Sequence, residues 1–373
     1  TARSRGLGDV YKRQAFRYSG YGEVRHVDQW YKMNKSNNLD EFISAMKMQA
    51  IPMFNTMYAD KSGNIFYVYN ALLPQRTSGS YDFSKTLPGD TPHALWGKYF
   101  DFDELPQILN PETGFLQNCN STPFLASIDE NDIDFSFYPK NLGIETHQSN
   151  RALRAHETFG ADSSITREEF YKYKFDNKYS KKSVLIKNLN KFLSQAESDD
   201  ENVIEAIKIL KNWDQTADSS SVGMHLAYEA ILPTENPDKY KYSYLKIKER
   251  LEKAVKKYLK YYGKIDIKWG EILRMKRKDI ALPLNGGPDV LRAIHSKEKN
   301  GKRLPTAGDC FFELVEWSPS GEVSAKSLHQ FGSSTRDSYS PHYSDQSEIF
   351  AKEEMKPVLM DLEKIKKNSI RSY

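Results

Sequence analysis

The sequence predicts an α+β protein, because two strand-rich parts flank a long block with helical periodicity. Alternating aromatic and aliphatic residues indicate hairpins near residues 53–69 and 310–331. Between them, from residue 166 onward, apolar residues recur at the spacing of amphipathic helices. The predicted sheet-bearing parts are therefore residues 15–150 and 266–373, and the mostly helical block is residues 151–265.

A helix is predicted to begin at Leu39. Asn38 is a residue type that caps helices, and Glu41 stands three residues later, as in a capping box. Phe42 and Met46 then follow at helical spacing, and Pro52 is predicted to end the helix.

A β-hairpin is predicted directly after this helix. Residues 53–59 and 65–69 are aromatic and alternating, and residues 60–64, which include Gly63, form the turn. Residues 73–118 are rich in Pro, Gly, Asp and Ser and are predicted to be a long ordered loop. Loops of that length often carry function.

The helical block begins with a capping box formed by Thr166 and Glu169. Three apolar stripes follow, and the Lys-rich faces opposite them are predicted to be solvated. The stripes are Leu185, Leu189, Phe192 and Leu193; Val203, Ile204, Ile207 and Leu210; and Tyr244, Ile247, Leu251, Val255 and Tyr258. After Pro283 the pattern returns to strands, with a second hairpin formed by residues 310–317 and 322–331.

Composition and charge exclude several classes of protein. The 373 residues are 39% hydrophobic and 28% charged, which excludes disordered and collagen-like chains. The formal net charge of +4 is too small for the basic field of a nucleic-acid binder. Apolar runs such as residues 71–73 are far shorter than the roughly 20 residues of a membrane helix. We therefore expect no nucleic-acid partner and no membrane span.

General catalytic and metal-binding motifs give no assignment. The sequence has no Gly-rich phosphate loop, no His-Glu-x-x-His and no Cys-x-x-Cys, and no cofactor or metal is predicted. His225, His295 and His342 lack partners at metal-ligand spacing and are predicted to be structural. Cys119 and Cys310 could pair or remain thiols.

Residues 1–14 are predicted not to belong to the native protein. The segment is basic, has no apolar periodicity and is not a signal peptide. From Ser4 it reads SRGLGDVYKRQ, which looks like the in-frame translation of a sequencing-library adapter. The alternative is a solvated basic tail. Under the first interpretation the native chain enters within a longer gene, at about Ala15.

Four strings in a fixed order carry a family resemblance. They are MFNTMYADKSGNIFYVYNALLPQR (residues 53–76), LNPETGFLQNCNSTPF (109–124), NWDQTADSSSVG (212–223) and YSPHYSDQ (339–346). Together they resemble the β-chain of the penicillin acylase family of N-terminal-nucleophile amidohydrolases, which includes the acyl-homoserine-lactone and aculeacin acylases. The resemblance covers nearly the whole chain after residue 14 and looks closer to the acyl-homoserine-lactone branch.

The resemblance implies an incomplete αββα sandwich with a helical insertion, formed by the C-terminal part of a β-chain. It implies hydrolysis of an acyl amide, such as an N-acyl homoserine lactone or a penicillin-like substrate. The implied partners are the acylated amine substrate and, from the same precursor, the upstream α-chain and the N-terminal part of the β-chain. The implied location is the periplasm. The alternative is a non-catalytic binding protein on the same scaffold.

The resemblance also implies roles for three residues of this chain. In the string Asn118-Cys119-Asn120-Ser121-Thr122-Pro123, alignment on the proline makes Asn120 the side-chain donor to the oxyanion. Arg151 falls where the family has an arginine that orients this asparagine, with Arg154 as a rival one turn away. Phe54 matches a wall of the acyl pocket. The alternatives are a turn residue for Asn120, a surface charge for Arg151 and a core residue for Phe54.

The nucleophile of the family is an N-terminal Ser whose own α-amine acts as its base. It follows a Gly upstream of the MFN strand, and Ser19 instead precedes a Gly, so the nucleophile is predicted to be absent from this chain. Asp129 and Asp132 lie near the position of a calcium-ligating Asp of penicillin G acylases, but the other ligands are unmatched, and calcium is not predicted. Without the upstream strands, we expect Met53, Met57 and Phe66 to be exposed.

Overall fold

The computed structural model describes residues 14–76, 81–128, 132–231 and 242–369. The chain divides into two compact units, residues 1–148 and residues 149–373, each with its own hydrophobic core. Residues 1–13, which belong to the predicted adapter segment, and Asp129 lie outside the described residues.

The described part of the first unit begins with two helices, α1 (His26–Lys35) and α2 (Leu39–Met46). The side chain of Asn38 accepts a hydrogen bond from the backbone N–H of Glu41 at 2.9 Å, and the Glu41 carboxylate accepts one from the N–H of Asn37 at 2.9 Å. These bonds satisfy donors that the helix itself leaves unpaired. The predicted start at Leu39 is confirmed. The predicted end at Pro52 was wrong, because α2 ends at Met46 and Gln49, which follows it, adopts a positive φ of 44°.

An antiparallel sheet follows, with strands in the order β1-β2-β3. The predicted hairpin is formed by β1 (Met53–Ala59) and β2 (Ile65–Ala71), and Gly63 adopts a positive φ of 84° in its turn. The prediction that residues 73–118 form only a loop was wrong, because β3 (Gln107–Leu109) pairs with β2 there. Three residues are too few to show an alternating pattern in the sequence.

One of the three apolar side chains of this hairpin that we expected to be exposed is buried. Met53 and Met57 are 70% and 44% exposed, as expected, but Phe66 is only 1% exposed. Phe66 belongs to the first unit's hydrophobic core, together with Phe42 and Met46 of α2. Side chains alternate between the two faces of a strand, and the face that carries Phe66 is the one covered by α2.

The second unit is mostly helical up to Ile272. The predicted capping box is confirmed: Thr166 Oγ1 accepts from the N–H of Glu169, and the Glu169 carboxylate accepts from the N–H of Thr166. The stripes predicted on three of its helices contribute to one core, except Ile204, which is 48% exposed. The helices are α3 (Asn150–Glu157), α4 (Arg167–Lys174), α5 (Val184–Leu193), α6 (Glu201–Lys211), α7 (Met224–Ala230), α8 (Tyr244–Tyr262) and α9 (Trp269–Ile272).

The sequence pattern predicted that the strands of the second unit begin after Pro283, but they begin earlier. The hairpin β4 (Arg274–Arg277) and β5 (Ile280–Pro283) turns at Lys278, which has a positive φ of 53° and gives no glycine signal. A further hairpin, β6 (Ile294–Lys299) and β7 (Lys302–Gly308), turns at Asn300-Gly301. Asn-Gly is a strong hairpin signal that the sequence analysis missed.

The second predicted hairpin is confirmed as β8 (Phe311–Trp317) and β9 (Val323–His329), joined by β10 (Lys356–Pro357) in the order β10-β9-β8. Two helices lie near this sheet in the sequence, α10 (Ser347–Ala351) before β10 and α11 (Leu362–Asn368) after it.

A buried arginine connects the C-terminal segment to the core of the second unit. Arg292 is 1% exposed, and its guanidinium lies 3.4 Å from Asp309 and 3.6 Å from Glu353. It also donates to the carbonyl of Phe350 at 2.8 Å and lies 4.0 Å from the centre of that ring. Burial lowers the pKa of Arg292 and raises the pKa of Glu353. The contacts therefore offset only part of the cost of burying these charges, and the Nε atom of Arg292 makes no hydrogen bond within the described residues.

Candidate functional site

The loop that contains Asn120 has a fixed backbone and an exposed amide. Asn120 adopts a positive φ of 56°, and its backbone N–H donates to Asn118 Oδ1 at 3.1 Å. This bond closes an Asx turn at Asn118, and asparagine tolerates the left-handed backbone conformation found at Asn120. The N–H of Thr122 donates to the carbonyl of His147 at 3.0 Å and ties the loop to a neighbouring segment. Asn120 is an exposed residue of this loop.

A polar cluster lies on one face of the β1–β2 hairpin. Tyr67 donates its hydroxyl proton to Asn55 Oδ1 at 2.7 Å, and Tyr69 donates to Glu145 Oε2 at 2.8 Å. Burial raises the pKa of both tyrosines well above the usual range, so both remain neutral donors.

The Asn118 side chain lies near the Tyr67 hydroxyl. There it partly opposes the effect of burial, which raises the pKa of Tyr67. Its Nδ2 atom is buried and makes no hydrogen bond within the part of the chain that the structure describes. The polar cluster therefore adjoins the loop that carries Asn120.

Phe54 lies on the other face of the hairpin. It is 59% exposed and makes a T-shaped contact with Trp30 of α1, with ring centres 6.1 Å apart. Because successive side chains of a strand point to opposite faces, Phe54 is directed away from the face of Asn55 and Tyr67. The structure thus does not bring Phe54 to the polar cluster beside Asn118.

Arg151 lies in the first turn of α3, in the second unit. Its Nε atom is 3.7 Å from Asp289 Oδ1, and its backbone N–H donates to the same oxygen at 3.4 Å. Asn150 donates from its backbone N–H to Asp289 Oδ2 at 2.9 Å and from Nδ2 to the Asp289 carbonyl at 2.7 Å. A carboxylate at a helix N-terminus is favourable, so Asp289 fixes both the helix and the arginine.

The rival residue Arg154 has different surroundings. Its guanidinium forms a bidentate pair with Asp176, at 2.9 and 2.7 Å, and donates to Glu157 at 2.7 Å. Hydrogen bonding to Asp176 raises the pKa of Arg154. Such a pair fixes the guanidinium plane within the second unit. Arg154 is therefore held by two carboxylates of the second unit.

The described residues include no group of three or more His, Cys, Asp or Glu side chains arranged to hold a metal ion. Asp132 accepts a hydrogen bond from the N–H of Ser127 at 2.6 Å. Cys119 and Cys310 form no disulfide within the described chain. No described helix is both long enough and apolar enough to cross a membrane.

Sequence reasoning missed Asp289, Asn55, Tyr67 and Tyr69. Asn55 and both tyrosines stand in the MFN string, but they lie on two strands, so placing Asn55 and Tyr67 on one face requires the hairpin register as well as strand alternation. Asp289 follows Gly286-Gly287-Pro288 and lies 138 positions from Arg151, and no local signal links residues so far apart.

Comparison with known proteins places the chain. Residues 7–367 match the family model described as penicillin amidase. The chain belongs to the penicillin amidase family. This confirms the recognition made from the four strings. The match begins inside the segment 1–14, whose adapter origin stays a prediction.

Among curated members of the penicillin amidase family, the acyl-homoserine lactone acylase PvdQ of Pseudomonas syringae pv. syringae is 24% identical. The alignment covers 92% of this chain and 49% of that protein. Penicillin G acylase of Escherichia coli is 34% identical over 101 residues, which are 27% of this chain and 12% of that protein. The chain thus spans about half the length of the PvdQ relatives it matches.

A solved structure supports the same family at the level of the fold. A thermostable penicillin G acylase from Alcaligenes faecalis has a TM-score of 0.56 and 18% identity, over 94% of this chain and 72% of that chain. The predicted α+β class with the N-terminal-nucleophile hydrolase fold is confirmed.

Proposed function

We propose that this chain forms part of an amidohydrolase that cleaves an acyl amide. Asn120 donates its side-chain amide to the oxyanion of the tetrahedral intermediate, Arg151 orients that amide, and Phe54 contacts the acyl chain. The nucleophile is an N-terminal Ser outside this sequence, whose own α-amine takes the hydroxyl proton. The chain spans about half the length of its PvdQ relatives, which is consistent with a nucleophile outside this sequence.

The observation that carries the proposal is the loop geometry at Asn120. An oxyanion donor must be held in place before the charge develops, because reorganisation during the reaction costs free energy. Asn118 and His147 hold the backbone on both sides of Asn120 through hydrogen bonds of 3.1 and 3.0 Å. Asn120 itself is exposed in this anchored loop.

The setting of Arg151 supports its role. An arginine that orients a neutral amide and disfavours protonation of a nearby α-amine must itself be held in one position. Asp289 lies 3.7 Å from its Nε atom, and the side chain of Arg151 remains 28% exposed. Arg154 lies one turn further along α3 and is engaged by two carboxylates.

The proposed substrate carries a fatty or aromatic acyl group on an amine such as homoserine lactone, in line with the names of the relatives. The proposed partners are an upstream α-chain and the N-terminal part of the β-chain, released from one precursor. The proposed location is the periplasm.

The test is to recover the complete reading frame and assay the expressed protein. We expect hydrolysis of N-decanoyl homoserine lactone or of a chromogenic phenylacetyl anilide, and no hydrolysis by residues 1–373 alone. The expected precursor has a Gly-Ser at the start of its β-chain, and changing that Ser to Ala is expected to abolish activity.

Two outcomes would contradict the proposal. A complete protein that binds these amides but hydrolyses neither would be a binding protein on this scaffold. Turnover by residues 1–373 alone, lost on mutating one of their own serines, would place the nucleophile within this chain.

A further inference from the structure

A cavity of about 460 Å³ lies in the first unit, and Glu145 of the polar cluster stands in the sequence between two of its lining residues, Ile144 and Thr146. This volume is within the usual range for small-molecule sites. Its described lining consists of Phe135, Tyr138, Pro139, Lys140, Ile144 and Thr146.

The aromatic wall of the cavity is preformed. Phe124 packs edge-on against Phe135 with ring centres 4.8 Å apart, and it packs against Tyr138 at 5.6 Å. The Tyr138 hydroxyl donates to the carbonyl of Glu104 at 3.3 Å, which fixes the second ring at its polar end. A wall that is already ordered loses little side-chain entropy when a ligand binds.

The chemistry of the lining selects an amphipathic ligand. Two aromatic rings, a proline and an isoleucine offer an apolar surface for a hydrocarbon group. Lys140 is the one charged side chain among the described lining residues, and it is exposed at the surface. An ammonium group beside an apolar cavity attracts the carboxylate end of an otherwise apolar molecule.

The cavity also adjoins the Asn120 loop through the backbone. Ile144 and Thr146 belong to the segment that ends at His147, whose carbonyl accepts the hydrogen bond from Thr122. Phe124, which supports the aromatic wall, follows Pro123 directly. A ligand in the cavity therefore lies against the segments that hold the Asn120 loop.

We propose that this cavity binds a hydrocarbon chain of medium length that ends in a carboxylate. The chain lies against Phe135, Tyr138 and Ile144, and the carboxylate lies at Lys140. The inference does not depend on the proposed function, because it concerns equilibrium binding by this chain and involves no hydrolysis.

The test is calorimetric titration of the 373-residue chain with decanoate and, separately, with decanol. We expect decanoate to bind more tightly than decanol. Ile144→Trp fills the cavity and is expected to weaken both ligands at least about tenfold. Lys140→Met removes the charge and is expected to weaken decanoate about fivefold to tenfold while leaving decanol within about twofold. Lys61→Met, at an exposed lysine of the β1–β2 turn, serves as the matched control.

Each variant decides a different part of the proposal. Absence of decanoate binding by the unmodified chain would overturn it. Unchanged affinity in Ile144→Trp would place the bound chain elsewhere and would also overturn it. Because Lys140 is exposed, its replacement leaves the fold intact, and equal loss of decanoate affinity in Lys140→Met and Lys61→Met would contradict a specific carboxylate site.

Discussion

The carboxylate of Asp289 lies 3.7 Å from Nε of Arg151, although the two residues are 138 positions apart in the chain. The same carboxylate accepts the backbone N–H groups of Asn150 and Arg151 at the start of α3. One side chain therefore fixes both the helix N-terminus and the direction of the arginine.

Replacing Asp289 is expected to destabilise the second unit. Asp289→Ala leaves N–H groups of α3 unsatisfied, and we expect the free energy of unfolding to fall by about 1–3 kcal/mol. Asp289→Asn keeps an acceptor oxygen and is expected to lose less. Urea unfolding followed by circular dichroism measures both. Asp266→Ala, at a carboxylate whose side chain is 67% exposed, is the control and is expected to change little. Equal stability of Asp289→Ala and the unmodified chain would contradict the role of Asp289.

Replacing the buried Arg292 is expected to lower the free energy of unfolding more than replacing Asp289. Arg292→Met removes the ion-pair partner of Glu353 and one of the two cationic partners of Asp309, which also pairs with Lys174 at 3.1 Å. We expect a loss of about 3–5 kcal/mol because a buried carboxylate loses its compensating charge. Arg167→Met breaks the 2.8 Å ion pair of an arginine that is 62% exposed, and its expected loss is below about 1 kcal/mol. Chemical denaturation of both variants compares them directly, and similar losses would show that burial does not govern the effect.

Because His225 is buried, we expect the free energy of unfolding to depend on pH. Burial lowers its pKa to about 4, the nearby Lys257 acts in the same direction, and Nε2 lies 2.9 Å from the carbonyl of Ile265. The unfolded chain takes up the proton near pH 6.5. The contribution of neutral His225 to the free energy of unfolding is therefore fully present above pH 6.5. It is lost as the pH falls toward 4, and the loss is at most about 3 kcal/mol.

The measurement is the midpoint of urea unfolding between pH 7 and pH 4.5. His225→Gln is expected to flatten the pH dependence, whereas His342→Gln, at an exposed histidine paired with Asp345, is expected to retain it. An identical slope in both variants would contradict the assignment to His225.

Phe54 predicts a change in substrate preference in the complete enzyme. If Phe54 contacts the acyl chain, Phe54→Ala removes apolar contact worth about 25 cal/mol per Å² and should lower kcat/KM more for long than for short acyl chains. A series of N-acyl homoserine lactones of increasing chain length measures this. Trp30→Ala removes the ring beside Phe54 and serves as the comparison. A uniform loss at every length would assign Phe54 to packing.

Local signals in the sequence were enough for much of the fold. The cap at Asn38, the capping box at Thr166 and the alternation before Gly63 each act within a few residues, and each predicted element is present. The pattern could not show β3, because its pairing with β2 is non-local. It also could not show that α2 covers the face of Phe66.

The candidate site was predictable only in part. Roles for Asn120 and Arg151 could be proposed from the family resemblance, and only Asn120 stands within one of the four strings. Asp289 and the Asn118 contact with Tyr67 depend on how distant segments pack, which spacing along the chain does not determine. For the same reason, the alternation that separates Phe54 from the polar cluster became evident only with the register of β1 and β2.

The central claim is that Asn120 donates to the oxyanion, and the turnover of Asn120→Ala in the complete enzyme tests it most directly. We predict that kcat falls by about 10² to 10³, with much less change in KM, because the donor acts on charge that develops in the transition state. Asn300→Ala, at another exposed asparagine with a positive φ of 53°, is the matched control and should retain activity. Near-native kcat in Asn120→Ala would contradict the account.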